Sequence, residues 1–357
     1  MTPRITGMEV LPIAVSERTT WRFVRLSTNV GVSGLGEASA GDPEIRDLER
    51  FYGLLGDSLS IHAYRQAGLP LAAAGGVRAA SAFSGIEQAL WDLRGKLLGA
   101  PVHELLGGRV RDTVPLYANV NRMTINRVPE GFGESAALAC EAGFRAVKAA
   151  PFDGFPSPEA PDADIEAATT LGIDAMLAIR EAVGDHVAVK VDCHGAFDFS
   201  RAVSVAERLH SAGLDWYEEP LPIDDIEGMR GLRDVIEQRL AGGERWFGLQ
   251  GFLPLITTGA VDVLMPDVTL CGGALELAHI ARAAETHGIA ISPHNARGPV
   301  ATAAALSVCA AVANVESLEL QWGEVDWRSN VIDPPERIER GMLTVSNEPG
   351  FGIELAR

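Results

Sequence analysis

The sequence predicts an α/β protein: a (β/α)₈-type TIM barrel preceded by an α+β capping domain. From Val114 onward, eight short apolar runs alternate with helical patterns, which indicates parallel strands joined by helices. The residues before Val114 have a different hydrophobicity pattern, in which strand-like alternation is followed by amphipathic helices. A barrel takes about 250 residues, so a chain of 357 residues has room for a second, smaller unit.

The N-terminal pattern begins with strands. Residues 4–40 alternate between apolar and polar positions, and glycines interrupt them where turns are expected. Helices are predicted over residues 43–60 and 77–98, and Gly99 ends the second one. These elements together predict the α+β unit.

The eight apolar runs predict the barrel strands. In chain order they are VPLYANV, AVKAAP, VAVKVD, DWYEEP, LAGGE, VDVLMPD, IAISPH and ESLELQ. We assign residues 1–110 to the capping domain and 111–330 to the barrel, and we expect the tail 331–357 to pack back on the capping domain. The long loop 151–161 follows the second run, on the barrel face where loops often act as lids or specificity elements.

Three carboxylates recur at one interval. Asp192, Glu218 and Glu244 are each separated by 26 positions, and each follows a short apolar run. Twenty-six residues is about one strand, one loop and one helix, so successive strands would each end in an acid on the active-site face of the barrel. Like charges brought together there repel one another unless a cation lies between them. Oxygen ligands without cysteine favour Mg²⁺.

A structural explanation exists for each acid taken singly, because an acid near a strand end often pairs with arginine or caps the next helix. Three acids in register favour the metal site instead. Glu219 follows Glu218 directly, and the two-residue period of a strand turns it to the other side, so we assign it a structural role.

Later strands end in residues suited to proton transfer. Asp267 and His294 follow neighbouring runs, where the carboxylate would orient the imidazole and raise its pKa, as a general base requires. The alternative is that His294 caps a turn before Pro299. His194 lies two residues after Asp192, so the two share one side of the strand.

Other polar residues are candidates for contact with a substrate or ligand. Lys148, in an otherwise apolar run, is costly to bury unless it is paired or functional, and it would reach either a carboxylate ligand or a substrate carboxylate. Glu319 lies in the eighth run. The remaining candidates are Asn119, Asn121 and Arg122 after the first barrel strand, and Arg18 and Trp21 in the first hairpin loop. For these five, the alternative is that they are ordinary surface residues that contact no substrate.

Composition excludes several classes of protein. A formal net charge of −18 argues against nucleic-acid binding, which needs basic patches. No apolar run is long enough for a membrane span, and the N-terminus lacks a signal-peptide pattern. The four cysteines show no paired spacing and are typical of a reducing compartment. We therefore expect a cytoplasmic protein without nucleic-acid or membrane partners.

These motifs resemble the enolase superfamily, and specifically its mandelate racemase group, nearly from end to end. The stretches that carry the resemblance are GVSGLGEAS, SGIEQALWDLRGKLLGAPVHELLGG, VKVDCHG, YEEP, GGE, MPD and SPHN. The resemblance implies a modified enolase barrel, a homo-oligomer (dimer or octamer), and Mg²⁺-assisted abstraction of a proton α to a carboxylate.

Two departures narrow the implied activity. Many members of the group carry Lys-X-Lys at the end of the second strand, whereas Lys148 is followed here by two alanines. His194 stands where asparagine is common, which resembles acid-sugar dehydratases of the galactonate dehydratase type. The resemblance thus implies dehydration of a sugar acid, with His294 as base and His194 as acid. One alternative is an epimerase, racemase or cycloisomerase of the same superfamily, in which His194 or Lys148 would be the second catalytic acid or base. The other is a non-catalytic protein that binds a metal or ligand.

Overall fold

A three-stranded antiparallel sheet opens the chain in the computed structural model, which describes residues 2–356. Its strands, in spatial order, are β1 (Ile5–Ala14), β2 (Thr20–Thr28) and β3 (Ser33–Glu37). Gly34 and Gly36 let β3 approach the helix that packs on this sheet, because a Cβ at either position would lie 2.2 Å or less from a backbone oxygen of that helix.

Three helices complete this unit: α1 (Ile45–Tyr52), α2 (Ile61–Ala74) and α3 (Gly76–Leu98). The helix predicted over 43–60 is shorter than expected, because the chain turns at Gly53 and reaches a left-handed conformation at Gly56. The sequence did not predict α2, which contains Gly68 and Pro70, two residues that disfavour a helix interior. The helix α3 was predicted to within one residue.

The barrel prediction is confirmed. Its strands are β4 (Thr113–Asn119), β5 (Ala146–Ala149), β6 (Ala188–Asp192), β7 (Leu214–Glu218), β8 (Leu240–Gly242), β9 (Val263–Leu264), β10 (Ala290–Ile291) and β11 (Leu318–Gln321). Each pairs in parallel with the next from β4 to β10, and β11 pairs with β4. A parallel bridge joins Ile291 of β10 to Val315, which lies three residues before β11. All eight runs therefore form strands, and their carboxyl ends open on one face.

Helices surround the barrel. They are α4 (Val102–Leu105), α5 (Pro129–Glu141), α6 (Asp162–Val183), α7 (Phe199–Arg208), α8 (Ile226–Arg233), α9 (Gly248–Thr258), α10 (Ala274–Glu285) and α11 (Pro299–Ala311). Tyr117 and Trp216 pack edge to face inside the barrel, with the Lys190 ammonium 3.8 Å from the Trp216 ring centroid. None of the helices between residues 2 and 356 has the length and apolar character to span a membrane.

Two buried glutamates of the N-terminal unit anchor it to barrel helices. Glu37 accepts hydrogen bonds from the backbone of Gly298 (2.7 Å) and Ala301 (2.9 Å) at the start of α11. Glu87 accepts in the same way from Ala274 (2.7 Å) at the start of α10. Each carboxylate satisfies helix N–H groups and faces the positive end of a helix dipole. The N-terminal unit is thus held against the N-terminal ends of α10 and α11.

The C-terminal tail contacts both units. Its strands are β12 (Ile332–Asp333), β13 (Ile338–Glu339), β14 (Met342–Thr344) and β15 (Glu354–Leu355). The strand β14 pairs antiparallel with β4 of the barrel, while the Phe351 backbone N–H donates to Asp92 of α3 at 2.7 Å. The contact between the tail and the N-terminal unit was expected from the sequence. The pairing of β14 with the barrel strand β4 was not. The domain boundaries themselves stay predictions.

Candidate active site

Polar side chains lie in the last residues of the eight barrel strands or shortly after them. In strand order they are Asn119, Lys148, Asp192, Glu218, Glu244, Asp267, His294 and Glu319. All eight are buried. Buried charges are costly unless they are paired or bound to a cation, so this concentration requires compensating partners.

Lys148 supplies one compensating charge. Its Nζ lies 2.9 Å from Glu319 Oε1, 3.0 Å from Glu218 Oε1 and 3.4 Å from Asp192 Oδ2. Burial by itself lowers the pKa of Lys148, but the attraction of Glu218 and Glu319 outweighs it and raises that pKa well above its usual range. Lys148 is therefore a protonated lysine held among carboxylates.

Glu244 has a buried oxygen left without a protein partner. Its Oε2 accepts no hydrogen bond within the described part of the chain, although His294 Nε2 lies 3.3 Å away. Donor atoms of Glu244, Asp192 and His194 all lie within 4.8 Å of one another. Two carboxylates and an imidazole so close together, with one carboxylate oxygen unsatisfied, fit a small divalent cation.

Glu218 differs from the other two predicted ligands in its contacts. Its Oε1 is bonded to Lys148, and its Oε2 accepts from the indole N–H of Trp216 at 3.2 Å. Burial, followed by the neighbouring negative charge of Asp192, raises the pKa of Glu218 well above its usual range. A cation bound next to this group would act in the opposite direction and favour its ionised form.

His294 and Asp267 form a buried pair. The Asp267 Oδ2 atom lies 2.9 Å from His294 Nδ1 and accepts from Arg297 Nε at 3.1 Å. Asp267 Oδ1 accepts from the backbone N–H and the hydroxyl of Thr269. Burial opposes ionisation of both members; Arg297 nevertheless lowers the pKa of Asp267, and Glu244 and Glu319 raise that of His294. The pair has a fixed ring orientation, with Nε2 facing the carboxylates.

His194 lies on the other side of these carboxylates. Its backbone is left-handed (φ 49°), a conformation uncommon for a residue other than glycine. Its Nε2 is 3.1 Å from Asp192 Oδ2, and its Nδ1 is 2.6 Å from Asp153 Oδ1. Burial opposes ionisation, but Asp192 and Asp153 raise the pKa of His194 to about 11. The imidazole is thus held in its protonated form.

Both histidines border one cavity of about 230 Å³. Its lining consists of Asn119, Asn121, Arg122, Ala150, Asp192, His194, Glu244, His294, Ala296, Arg297 and Gln321. The cavity has room for a small organic acid beside an ion. Asp192 and Glu244 contribute carboxylates to this lining, and Arg122 and Arg297 contribute positive charge.

The structure places some of the predicted substrate contacts at the cavity and others away from it. Asn121 and Arg122 line the cavity, and Glu319 lies beneath it, 3.6 Å from His294 Nε2. Trp21 lies in β2 rather than in the hairpin loop we expected; it is 1% exposed and packs on Trp327. It is not among the described residues that line the cavity.

The hairpin loop itself lies at the barrel rim. Glu324 accepts from Ser16 (3.2 Å) and Thr19 (2.6 Å) of that loop, and its other oxygen accepts from Arg122 at 2.9 Å. Arg18 is exposed on the same loop. The loop therefore lies beside one wall of the cavity.

Three residues near the site were not identified from the sequence. Arg297 follows His294 by three residues and binds Asp267; Asp153 and Arg127 bind each other at 3.2 Å. For Asp153, the sequence feature that pointed to its region was the long loop 151–161, which contains it. Their partners are distant along the chain, so neither spacing nor periodicity identified them.

Two family descriptions match nearly the whole chain. Residues 6–107 match the N-terminal domain of mandelate racemase / muconate lactonizing enzymes, and residues 132–357 match the enolase C-terminal domain-like family. The chain belongs to the enolase superfamily. The resemblance inferred from the motifs is thereby confirmed.

Curated members of the enolase superfamily similar to this chain act on sugar acids or their lactones by name. A D-gluconate dehydratase of Thermoproteus tenax is 35% identical over 77% of this chain and 54% of its own length. A D-galactarolactone cycloisomerase of Agrobacterium fabrum is 33% identical over 78% of this chain and 72% of its own length. A D-xylonate dehydratase of Haloferax volcanii is 31% identical, covering 94% and 83%. The chain thus spans about half the length of the first of these relatives.

Solved structures show the same architecture. A mandelate racemase/muconate lactonizing enzyme-like protein from Rubrobacter xylanophilus superposes with a TM-score of 0.90 at 31% identity, covering 99% of this chain and 95% of that one. The enolase-type barrel with its N-terminal cap is therefore the fold of this chain.

Proposed function

We propose that this enolase-superfamily member is a Mg²⁺-dependent hydro-lyase that dehydrates an aldonate- or aldarate-type acid sugar. The reaction removes the proton α to the carboxylate and eliminates the β-hydroxyl, and the enol formed tautomerises to a 2-keto-3-deoxy acid. The observation that supports it most directly is one cavity bordered by two histidines, each paired with its own carboxylate. The dehydratase names of two similar relatives agree with it.

The proposed metal ligands are Asp192, Glu218 and Glu244. The unsatisfied Glu244 oxygen and the closeness of Asp192 support two of these ligands, whereas the support for Glu218 is its interval along the sequence, because His194 is the third member of the cluster of close donor atoms. Bound there, Mg²⁺ would supply Lewis-acid stabilisation of the negative charge that develops on the substrate carboxylate. Lys148 contacts two of these ligands and acts through them, by balancing their charge.

His294 is the proposed base. Its Nδ1 bond to Asp267 fixes the ring and turns Nε2 toward the cavity, where it accepts the α-proton once deprotonated. Asp267 stabilises the imidazolium that results. Glu319, 3.6 Å from the same Nε2, is a proposed substrate contact together with Asn121 and Arg122.

His194 is the proposed acid. Hydroxide is a poor leaving group, and protonation by a positioned acid contributes about 10²–10⁴-fold to such a step. The Asp153 carboxylate, 2.6 Å from Nδ1, favours the protonated imidazole. The Nε2–H bond breaks, the proton joins the departing hydroxyl, and water leaves as the C–O bond breaks.

The test is an assay for keto-acid formation with D-gluconate, D-galactonate and D-xylonate, with Mg²⁺ and with the metal chelated. A 2-keto-3-deoxy acid formed from at least one of them in the presence of Mg²⁺ is the expected result. Inversion at Cα without loss of water, or interconversion of a lactone, would instead identify an epimerase or a cycloisomerase, the activity named for one similar relative. Location in the cytoplasm and assembly into a dimer or octamer remain predictions.

A further inference from the structure

Asp153 joins His194 to two other side chains at the edge of the cavity. Its Oδ1 lies 2.6 Å from His194 Nδ1, a charge-assisted distance. Its Oδ2 accepts from Asn121 Nδ2 at 2.8 Å and from Arg127 at 3.2 Å. Arg127 also donates to Asn121 Oδ1 (2.9 Å) and to the backbone oxygen of Ala150 (2.6 Å). The carboxylate is therefore held on both oxygens while it holds the imidazole.

An aromatic cluster fixes the loop that carries Asp153. Phe152, Phe155 and Phe197 pack with ring centroids 4.9 to 6.3 Å apart. Phe152 is 3% exposed and lies so close to Gly172 of α6 that a Cβ there would be 2.1 Å from its ring. Packing of Phe152 and Phe155 thus restrains the loop on both sides of Asp153, next to His194.

The arrangement repeats the one around His294. In both cases a carboxylate occupies Nδ1, and Nε2 faces the proposed metal ligands: Asp192 at 3.1 Å for His194, Glu244 at 3.3 Å for His294. A carboxylate at Nδ1 requires a proton on that nitrogen, which leaves Nε2 as the atom that exchanges a proton with the substrate. Nε2 of each ring faces the carboxylates from its own side of the cavity.

We propose that Asp153 is a positioning residue of the reaction, which forms with His194 a second carboxylate–imidazole pair for proton delivery to the departing hydroxyl. This rests on the proposed dehydration. When Nε2 gives up its proton, Asp153 keeps the remaining proton on Nδ1, so the ring leaves the step neutral and correctly oriented. The competing explanation is that Asp153 only ties the loop to Arg127 and Asn121.

The kinetic test compares Asp153→Asn with wild type in deuterium oxide, on whichever of D-gluconate, D-galactonate and D-xylonate the wild type converts. Keto-acid formation should slow about 100-fold, the lower end of what a general acid contributes, with the change in kcat rather than KM. Exchange of the α-proton should persist, because His294 and Asp267 are unchanged. Equal loss of exchange and dehydration would refute the proposal and indicate a structural role.

Two matched variants sharpen that comparison. Asp267→Asn alters the corresponding carboxylate of the other pair and should slow exchange as well as dehydration. Phe155→Leu perturbs the loop without altering the Asp153 carboxylate and should preserve the wild-type ratio of the two rates. If Phe155→Leu reproduced the Asp153→Asn pattern, loop order and not the carboxylate would be responsible, and the proposal would fail.

Two measurements do not depend on the reaction, so they test the pair even if the proposed function is wrong. Proton NMR should show a downfield Nδ1–H signal that disappears in both His194→Gln and Asp153→Asn; its persistence in Asp153→Asn would refute the pairing. Calorimetric titration should give Asp153→Asn the Mg²⁺ affinity of wild type. A 10–100-fold loss, typical when the carboxylate behind a ligating histidine is removed, would make His194 a metal ligand and overturn its role as acid.

Discussion

Replacing Asp267 by asparagine isolates what a carboxylate contributes to the base His294. Asp267 accepts four hydrogen bonds: two on Oδ1 from Thr269 (2.7 Å each), and two on Oδ2, from His294 (2.9 Å) and Arg297 (3.1 Å). An asparagine that keeps its oxygen toward Thr269 turns its NH₂ group toward His294 and Arg297. The NH₂ group then faces the Arg297 Nε–H, which is also a donor. It also donates to His294 Nδ1, so the proton of the imidazole must lie on Nε2 instead.

The expected loss follows from the bonds removed. A hydrogen bond to a charged group is worth roughly 1.5–3 kcal/mol, and each 1.36 kcal/mol is a factor of ten in rate. Asp267→Asn should therefore slow α-proton exchange by at least roughly 10- to 150-fold, because the proton on Nε2 adds to the loss of the hydrogen bond. His294→Asn removes the accepting nitrogen itself, so exchange should fall below detection.

The assay is proton NMR in deuterium oxide, which follows loss of the Cα–H signal of a sugar acid that the protein converts. Thr269→Val is the matched control: it removes one hydrogen bond to the other Asp267 oxygen but keeps the carboxylate and its bond to His294, so exchange should slow less than in Asp267→Asn. Exchange in Asp267→Asn at the wild-type rate would show that the carboxylate does not support the base. Exchange that survives in His294→Asn would show that another group, such as Lys148, takes the proton.

Four further predictions concern the metal, the acid and the junction with the cap. Glu244→Gln should weaken Mg²⁺ binding and turnover together; unchanged affinity by calorimetry would rule the residue out as a ligand. His194→Gln should stop keto-acid release while α-proton exchange in deuterium oxide continues, and parallel loss of both would contradict its role as acid. Glu276 forms an ion pair with Arg65, and although burial raises the pKa of Glu276, contacts led by His279 lower it to about 2. The stabilisation that this carboxylate provides is present above about pH 4.5 and is lost as the pH falls toward 2, so Glu276→Gln should reduce the acid-side loss of unfolding free energy by roughly 1.5–3 kcal/mol. An unchanged dependence of the unfolding free energy on pH, measured by urea titration, would contradict this. Glu37→Gln should lower the free energy of unfolding by about 1–3 kcal/mol because buried N–H groups lose a charged acceptor; an unchanged thermal midpoint would show that this contact does not hold the cap.

The sequence alone was sufficient to predict the barrel and the residues that converge in it. Each repeat of strand, loop and helix returns the chain to the same face, so equal spacing along the sequence becomes proximity in space. That is why Asp192, Glu218 and Glu244 were identifiable by interval, and why Asp267 and His294 on adjacent strands were expected to meet; the structure has them 2.9 Å apart. Their roles stay predictions.

What depends on contacts between distant segments was decided by the tertiary structure. Asp153 and His194 are 41 positions apart, and their contact depends on how three phenylalanines hold a loop that has no periodic pattern. Trp21 was expected in a loop that faces the substrate but is buried in β2, because the strand begins one residue before it. Lys148 was recognisable as a costly buried charge, yet which carboxylates balance it depends on the arrangement of four strands. A linear sequence specifies the period of its elements, whereas the partners of a loop or of a buried charge are set by packing across the whole fold.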